Sequence, residues 1–131
     1  MVKLPAFPQP ADLVEFNIGA ATSFRFYIDA KSLSVSDDGV VRYTLVARST
    51  SGAESVSYEG MRCSSGTYKV YAYGRRDGGW TERQSDWRPI EPKSVSWHQS
   101  LRREFFCPHQ HPIDSPEEGI RALRLGRHPR L

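Results

Sequence analysis

The chain has 131 residues, of which 38% are hydrophobic and 25% are charged, and this composition is typical of one globular domain. Its net charge is only +3, and its arginines are spread from Arg25 to Arg130, which argues against the concentrated basic face of a nucleic-acid-binding domain. No apolar run approaches the roughly 20 residues that cross a bilayer, so no transmembrane segment is predicted.

Residues 1–12 are rich in proline and predict an extended N-terminal arm, followed by one α+β domain over residues 13–131. Pro5 and Pro8 match a PxxP pattern, although such short proline-rich starts are more often plain linkers. Met1-Val2-Lys3 leads into prolines without the apolar stretch of a signal peptide. Either the protein is cytoplasmic, or the sequence starts after a removed export segment.

Residues 22–90 predict an antiparallel β-meander of four or five strands. Hydrophobic side chains alternate with polar ones, which is the pattern of half-buried strands. The strands are predicted at residues 24–30, 40–48, 54–63 and 67–73, with a short edge strand around Trp80. Asp38-Gly39, residues 64–66 and residues 75–79 supply the turns between them.

Residues 94–126 predict two C-terminal helices. Ser94 is the predicted N-cap of the first, in which Trp97, Leu101 and Phe105 recur every four residues. Pro108 is predicted to end this helix because it lacks the N–H that a continuing helix needs.

The second helix has clear signals at both ends. Ser115-Pro116-Glu117-Glu118 predicts a capping box with proline at the first helical position, and Gly126 predicts the C-terminal end. Strands followed by helices indicate the α+β class, with the helices covering one sheet face.

Seven short motifs occur in order along the chain: residues 26–29 (FYID), 32–35 (SLSV), 38–46 (DGVVRYTLV), 59–63 (EGMRC), 71–75 (YAYGR), 87–90 (WRPI) and 106–108 (FCP). Together they closely resemble the CNP-like family, named for a cryptic neisserial protein. The resemblance covers about residues 3–125, which is nearly the whole chain.

Members of that family resemble exported proteobacterial proteins with a signal sequence, often lipoprotein-like, and no activity is established for them. The resemblance therefore implies a periplasmic or outer-envelope-associated protein whose leader has been removed, with a cytoplasmic location as the alternative. A weaker pattern over about residues 24–80, which includes Arg62-Cys63, is similar to the surface-adhesin protein E family.

Cys63 and Cys107 are the two cysteines, at the end of a predicted strand and of a predicted helix. In an exported protein two cysteines favour a structural disulfide, which here closes a loop of about 44 residues. The alternative is a pair of buried free thiols in a cytoplasmic protein.

A metal site is a second alternative for Cys107. If the segment after it is extended, His109 and His111 project to the same side and form with Cys107 a candidate zinc or copper site. The simpler interpretation is a polar loop between two helices, and no cofactor is predicted.

No catalytic residue is predicted. His98 is a candidate general base, but no nucleophile accompanies it, and carboxylates such as Glu59 sit on separate elements where no acid–base pair is indicated. The basic tail, formed by Arg121, Arg124, Arg127 and Arg130, predicts a solvated helix face, with contact to anionic lipid headgroups as the alternative.

Five aromatic residues are predicted opposite the more apolar side of the strands: Tyr27, Tyr71, Tyr73, Trp80 and Trp87. Such residues dominate interface hot spots, so this face is a candidate interaction surface unless the helices cover it. These observations predict a non-enzymatic binding or structural module whose partner is unidentified, with another envelope protein fitting the resemblance. The alternatives are an adhesin-like protein-binding module and a metal-binding protein.

Overall fold

The computed structural model describes residues 2–18, 22–83, 85–92 and 96–131. In this part of the chain, eight strands form one antiparallel sheet: β1 Leu13–Phe16, β2 Phe24–Asp29, β3 Ser34–Val35, β4 Val40–Ser49, β5 Glu54–Arg62, β6 Thr67–Gly74, β7 Trp80–Glu82 and β8 Arg88–Pro89. The main order is β1-β2-β4-β5-β6-β7, while β3 pairs with β4 and β8 with β6. The antiparallel sheet followed by two helices confirms the predicted class.

The predicted count of four or five strands is wrong. The additional strands, β1, β3 and β8, are two to four residues long and too short to show a clear alternation of polar and apolar side chains. In β1 the apolar run is also interrupted by Glu15, which is exposed. These short strands are recognisable only from their pairing with longer neighbours.

One face of the sheet, the helix face, carries Val41, Tyr43 and Leu45 of β4, which point to the same side because they alternate along the strand. The first helix, α1, spans Trp97–Ser100 and continues as a π-helical segment over Leu101–Phe106. The second helix, α2, spans Pro116–Leu125. These helices and the helix face enclose the main core, which includes Phe26, Ile28, Met61, Leu101, Phe105, Phe106, Ile113 and Leu123.

The helix ends follow the capping chemistry of the sequence. Ser96 caps α1 by accepting a hydrogen bond from the Gln99 N–H, whereas the predicted cap Ser94 lies outside the described residues. The π-helical segment ends at Cys107, and Pro108 starts a short 3₁₀ turn. Ser115 caps α2 through the Glu118 N–H, and Gly126 ends it with a φ of 87°.

The opposite face, the arm face, carries the alternate residues Val46 of β4 and Val56 of β5. The N-terminal arm packs on it: the Phe7 ring lies 5.4 Å from that of Trp80, whose Nε1 donates a 2.9 Å hydrogen bond to the Pro5 carbonyl. Gly74 permits this approach, because a Cβ there would lie 2.8 Å from the Phe7 ring.

The arm therefore crosses the sheet from edge to edge, since it leads into β1 at one edge and contacts β7 at the other. The C-terminal helices lie on the opposite face. None of the helices in the described ranges has the length and apolar content that a membrane crossing requires.

Candidate functional site

A buried carboxyl group joins α1 to the sheet. Glu59 of β5 points into the helix face and is only 1% exposed. The hydroxyls of Tyr43 and Ser57 each donate a 2.8 Å hydrogen bond to it from the sheet. From α1, the Trp97 Nε1–H donates at 3.3 Å and the His98 Nε2 lies 2.9 Å from the same carboxyl group.

The Glu59 cluster, consisting of Glu59, Tyr43, Ser57, Trp97 and His98, uses both carboxyl oxygens. Oε2 accepts from Ser57, and Oε1 faces the other three side chains. Burial, and next the neighbouring Glu59, raise the pKa of Tyr43 well above its usual value. The phenol therefore stays protonated and serves as a hydrogen-bond donor.

The sequence indicated no acid–base pair, whereas the structure places His98 beside Glu59. The two residues are 39 positions apart, so no local spacing reveals the pair. The His98 ring also stacks on Tyr68 with centroids 3.7 Å apart, and its side chain is 12% exposed. Because its Nε2 faces an interior carboxyl group, the pair holds α1 against the sheet.

The predicted disulfide between Cys63 and Cys107 is confirmed. The bond joins the residue after β5 to the residue after the π-helical segment, with 5.3 Å between the Cα atoms. Both cysteines are buried in the main core. The bridge therefore ties the helical part of the chain covalently to the central strands.

The segment after Cys107 does not have the extended form on which the metal hypothesis depended. His109 has a φ of 54°, so the chain turns where the prediction placed an extended stretch. The His109 Nε2 lies 3.0 Å from the Arg130 carbonyl, and the Cys107 sulfur is bonded to Cys63 instead of being a thiolate. Among the described residues, no group of three or more metal-ligating side chains is found.

The five predicted interface aromatics do not share one face. Tyr71 and Trp80 belong to the arm face, but a β-bulge opposite Tyr58 and Glu59 changes the alternation of β6. As a result Tyr73 pairs with Ser57 and lies on the other side of the sheet. Tyr27 remains on the arm face, where the guanidinium of Arg48 lies 5.1 Å from its ring centre.

Four of the predicted positions are partly covered. Trp80 packs under the arm, and Tyr27, Tyr71 and Trp87 are half-buried, whereas Tyr73 is exposed beside Arg83. Each aromatic side chain therefore contacts its own cation or the arm, and the five do not form one continuous surface.

A basic–aromatic patch, consisting of Arg42, Arg62, Lys69, Tyr71 and Trp87, occupies the part of the arm face near β8. The Arg62 guanidinium lies 3.9 Å from the centre of the Trp87 ring, and the Lys69 ammonium lies 5.7 Å from that of Tyr71. Arg42 donates from Nε to the Tyr71 hydroxyl at 3.2 Å. These contacts hold the rings and the cations in fixed positions.

Gly60 explains how Tyr71 lies so close to the sheet. A Cβ at this position would lie 2.7 Å from the Tyr71 hydroxyl oxygen, so a larger residue would displace the ring. Arg42 is also held in place, because its Nη1 donates a 2.9 Å hydrogen bond to the Ser36 hydroxyl.

A family model matches residues 1–124 of the chain, which covers every element described above as far as α2. The protein belongs to the CNP1-like family. This confirms the resemblance found in the sequence motifs. Comparison with curated proteins gave no match, and neither did comparison with solved structures.

The basic tail of this CNP1-like protein divides into two parts. Arg130 donates a 2.6 Å hydrogen bond to Glu118, which also contacts the buried His128 at 2.6 Å. Arg121, Arg124 and Arg127 are exposed, and no carboxylate in the described ranges forms an ion pair with them. The unpaired cations lie on and just after α2.

Proposed function

We propose that this CNP1-like protein is an exported, disulfide-linked module that acts by binding another component of the cell envelope, and that it is not an enzyme. The Cys63–Cys107 bridge supports the location, because structural disulfides persist in oxidising compartments such as the periplasm. The resemblance to exported proteins points in the same direction.

The basic–aromatic patch is the observation that carries the binding role. Arginine and large aromatic residues contribute most to protein interfaces, and rigid side chains lose little conformational entropy on binding. In this patch Tyr71 is held over Gly60 and by Arg42, while Arg62 is stacked on Trp87. The surface therefore fits a partner that presents acidic groups beside apolar ones.

The Glu59 cluster supports a role without catalysis. A general base needs a free nitrogen or oxygen within hydrogen-bonding reach of a substrate. Here both oxygens of Glu59 accept internal hydrogen bonds, so this carboxyl group has no free oxygen to offer a substrate. The most strongly buried acid is thus used to assemble the domain.

The disulfide that supports this location is tested through the cysteines. When the protein is produced with an export signal, we expect a thiol reagent to label neither Cys63 nor Cys107 unless a reductant is added. Reduction should lower the free energy of unfolding by up to about 4 kcal/mol for a loop of this length. Two freely labelled thiols in the exported protein would remove the disulfide on which the proposed location rests.

The binding surface is tested by photo-crosslinking in intact envelopes. A photoreactive residue replaces Arg62 in the patch, and in the control it replaces Arg103, which is exposed on the opposite, helical side of the domain. We expect one discrete crosslinked species from position 62 alone. Adding Trp87→Ala should remove this species while the melting temperature shows that the domain remains folded.

Two results would overturn the binding proposal. Equal crosslinking from positions 62 and 103 would show that the patch is not selective. The absence of any crosslink from position 62, in cells where the protein is exported and its cysteines are disulfide-bonded, would show that the binding role is wrong even though the disulfide is present.

A further inference from the structure

A groove of about 650 Å³ lies between strands β1 and β2 and the end of α2, away from the basic–aromatic patch. Its floor contains the core residues Phe16, Phe26 and Leu123, which are only 3–6% exposed, and its rim combines apolar residues with charged ones such as Arg25 and Arg124. Ligand sites of small molecules have volumes in this range. The groove is therefore large enough to hold an alkyl chain.

The mouth of the groove exposes large apolar side chains. Phe24 is 44% exposed and Leu125 is 57% exposed, and both line the groove. Together with Tyr73 and Leu131 they are the large hydrophobic residues exposed in the described ranges. An exposed apolar pair at the opening of an apolar groove is typical of a ligand or interaction site.

The charges around this mouth are predominantly positive. Arg124 lies in the last turn of α2 and lines the groove, while Arg121 lies one turn earlier in α2 and Arg127 follows the helix. None of the three has a carboxylate partner among the described residues. Arg25, also at the groove, is already paired with Glu15 at 3.1 Å.

We propose that the groove binds a single-chain anionic amphiphile, with its alkyl chain against Phe24 and Leu125 and its headgroup against Arg124. The exposed apolar side chains match the chain, and the unpaired guanidinium of Arg124 supplies the complementary charge. This site is independent of the proposed binding patch, because the two share no residue.

The test is calorimetric titration of the full chain with dodecyl phosphate below its micelle concentration. We expect saturable one-to-one binding that weakens about tenfold when the alkyl chain is shortened by two carbons. Leu125→Glu should weaken dodecyl phosphate at least about tenfold, because it places a negative charge at the groove mouth. The matched control Leu131→Glu changes an exposed leucine that does not line the groove.

The headgroup contact is tested with Arg124→Glu. This variant should lose dodecyl phosphate binding but keep any weak binding of the uncharged dodecyl maltoside, and Arg103→Glu should leave both unchanged. Equal affinity for the two amphiphiles, or equal effects of Leu125→Glu and Leu131→Glu, would overturn the proposal. Binding to anionic phospholipid vesicles without binding to monomeric dodecyl phosphate would assign the surface to a membrane and also overturn it.

Discussion

Two carboxyl–histidine pairs hold C-terminal segments of the chain in place, and they differ in burial. Glu59 lies in the core and meets His98 near the edge of α1, whereas Glu118 is partly exposed and meets the buried His128 of the tail. In each pair the carboxyl group collects donors from separate segments. The interior pair positions a helix, and the peripheral pair fastens the last residues.

The difference in burial predicts a difference in how much each group contributes to stability. A buried carboxyl group that loses its donors cannot replace them with water, whereas a half-exposed one can. The same kind of hydrogen-bonded pair is therefore expected to contribute more at Glu59 than at Glu118. Three substitutions test this comparison, beginning with the largest expected effect.

Glu59→Ala should lower the free energy of unfolding by about 3–5 kcal/mol, because it leaves the donors of Tyr43, Ser57 and Trp97 buried without an acceptor. Urea denaturation followed by tryptophan fluorescence measures this loss. The matched control is Glu54→Ala in the same strand, where an exposed pair with Arg48 should contribute less than about 1 kcal/mol. Similar losses for the two variants would refute the assigned role of Glu59.

Tyr43→Phe should cost about 1–2 kcal/mol, because one donor to the buried carboxyl group is removed while the ring still packs against Phe106. The control is Tyr71→Phe, which removes a half-buried hydroxyl bonded to Arg42 and should cost less than about 1 kcal/mol. Thermal unfolding measures the loss of stability in the two variants. A larger loss for Tyr71→Phe would invert the comparison.

The smallest effect is expected at Glu118, and it depends on pH. Burial opposes ionisation of this group, but the hydrogen bond from the Asp114 N–H and contacts with His128 and Arg130 outweigh it, so its pKa lies below 4.5. A lowered carboxyl pKa stabilises the folded state above pH 4.5, and this stabilisation is lost as the pH falls through the lower, folded-state pKa.

Acid should therefore loosen the tail before it unfolds the domain. Hydrogen exchange at the Leu131 amide, which donates to the His128 carbonyl, reports this loosening. In Glu118→Gln the tail should show low protection, relative to the intrinsic exchange rate, at every pH, and overall stability should fall by about 1 kcal/mol or less. Glu117→Gln should retain the acid dependence of this protection. Tail protection that is independent of pH in the unmodified protein would contradict this prediction.

Local patterns account for the parts of the fold that were predicted. The alternation in β4, the turn at Asp38-Gly39 and the cap at Ser115 depend on neighbouring residues, so the sequence reveals them directly. The disulfide could be predicted for another reason, because a chain with two cysteines has only one intramolecular pairing.

The features that sequence reasoning missed depend on distant contacts. The meeting of Glu59 and His98, and the course of the arm to Trp80, bring together residues far apart in the chain. The position of Tyr73 was mispredicted because a bulge adds one residue to β6, and no residue type in this strand indicates the bulge. The sequence did contain one signal for the Glu59 cluster, because Glu59 is an acidic residue at a position where the alternation of β5 places side chains in the core.

The arm has a further consequence for the order in which the chain folds. The hydrogen bond between Pro5 and Trp80 spans 75 residues, whereas neighbouring strands of the meander are joined by short turns. Closing so long a loop has a high entropic cost until its two ends are already fixed by other structure. The sheet is therefore expected to assemble first, and the arm to settle across it in a late step that completes the native state.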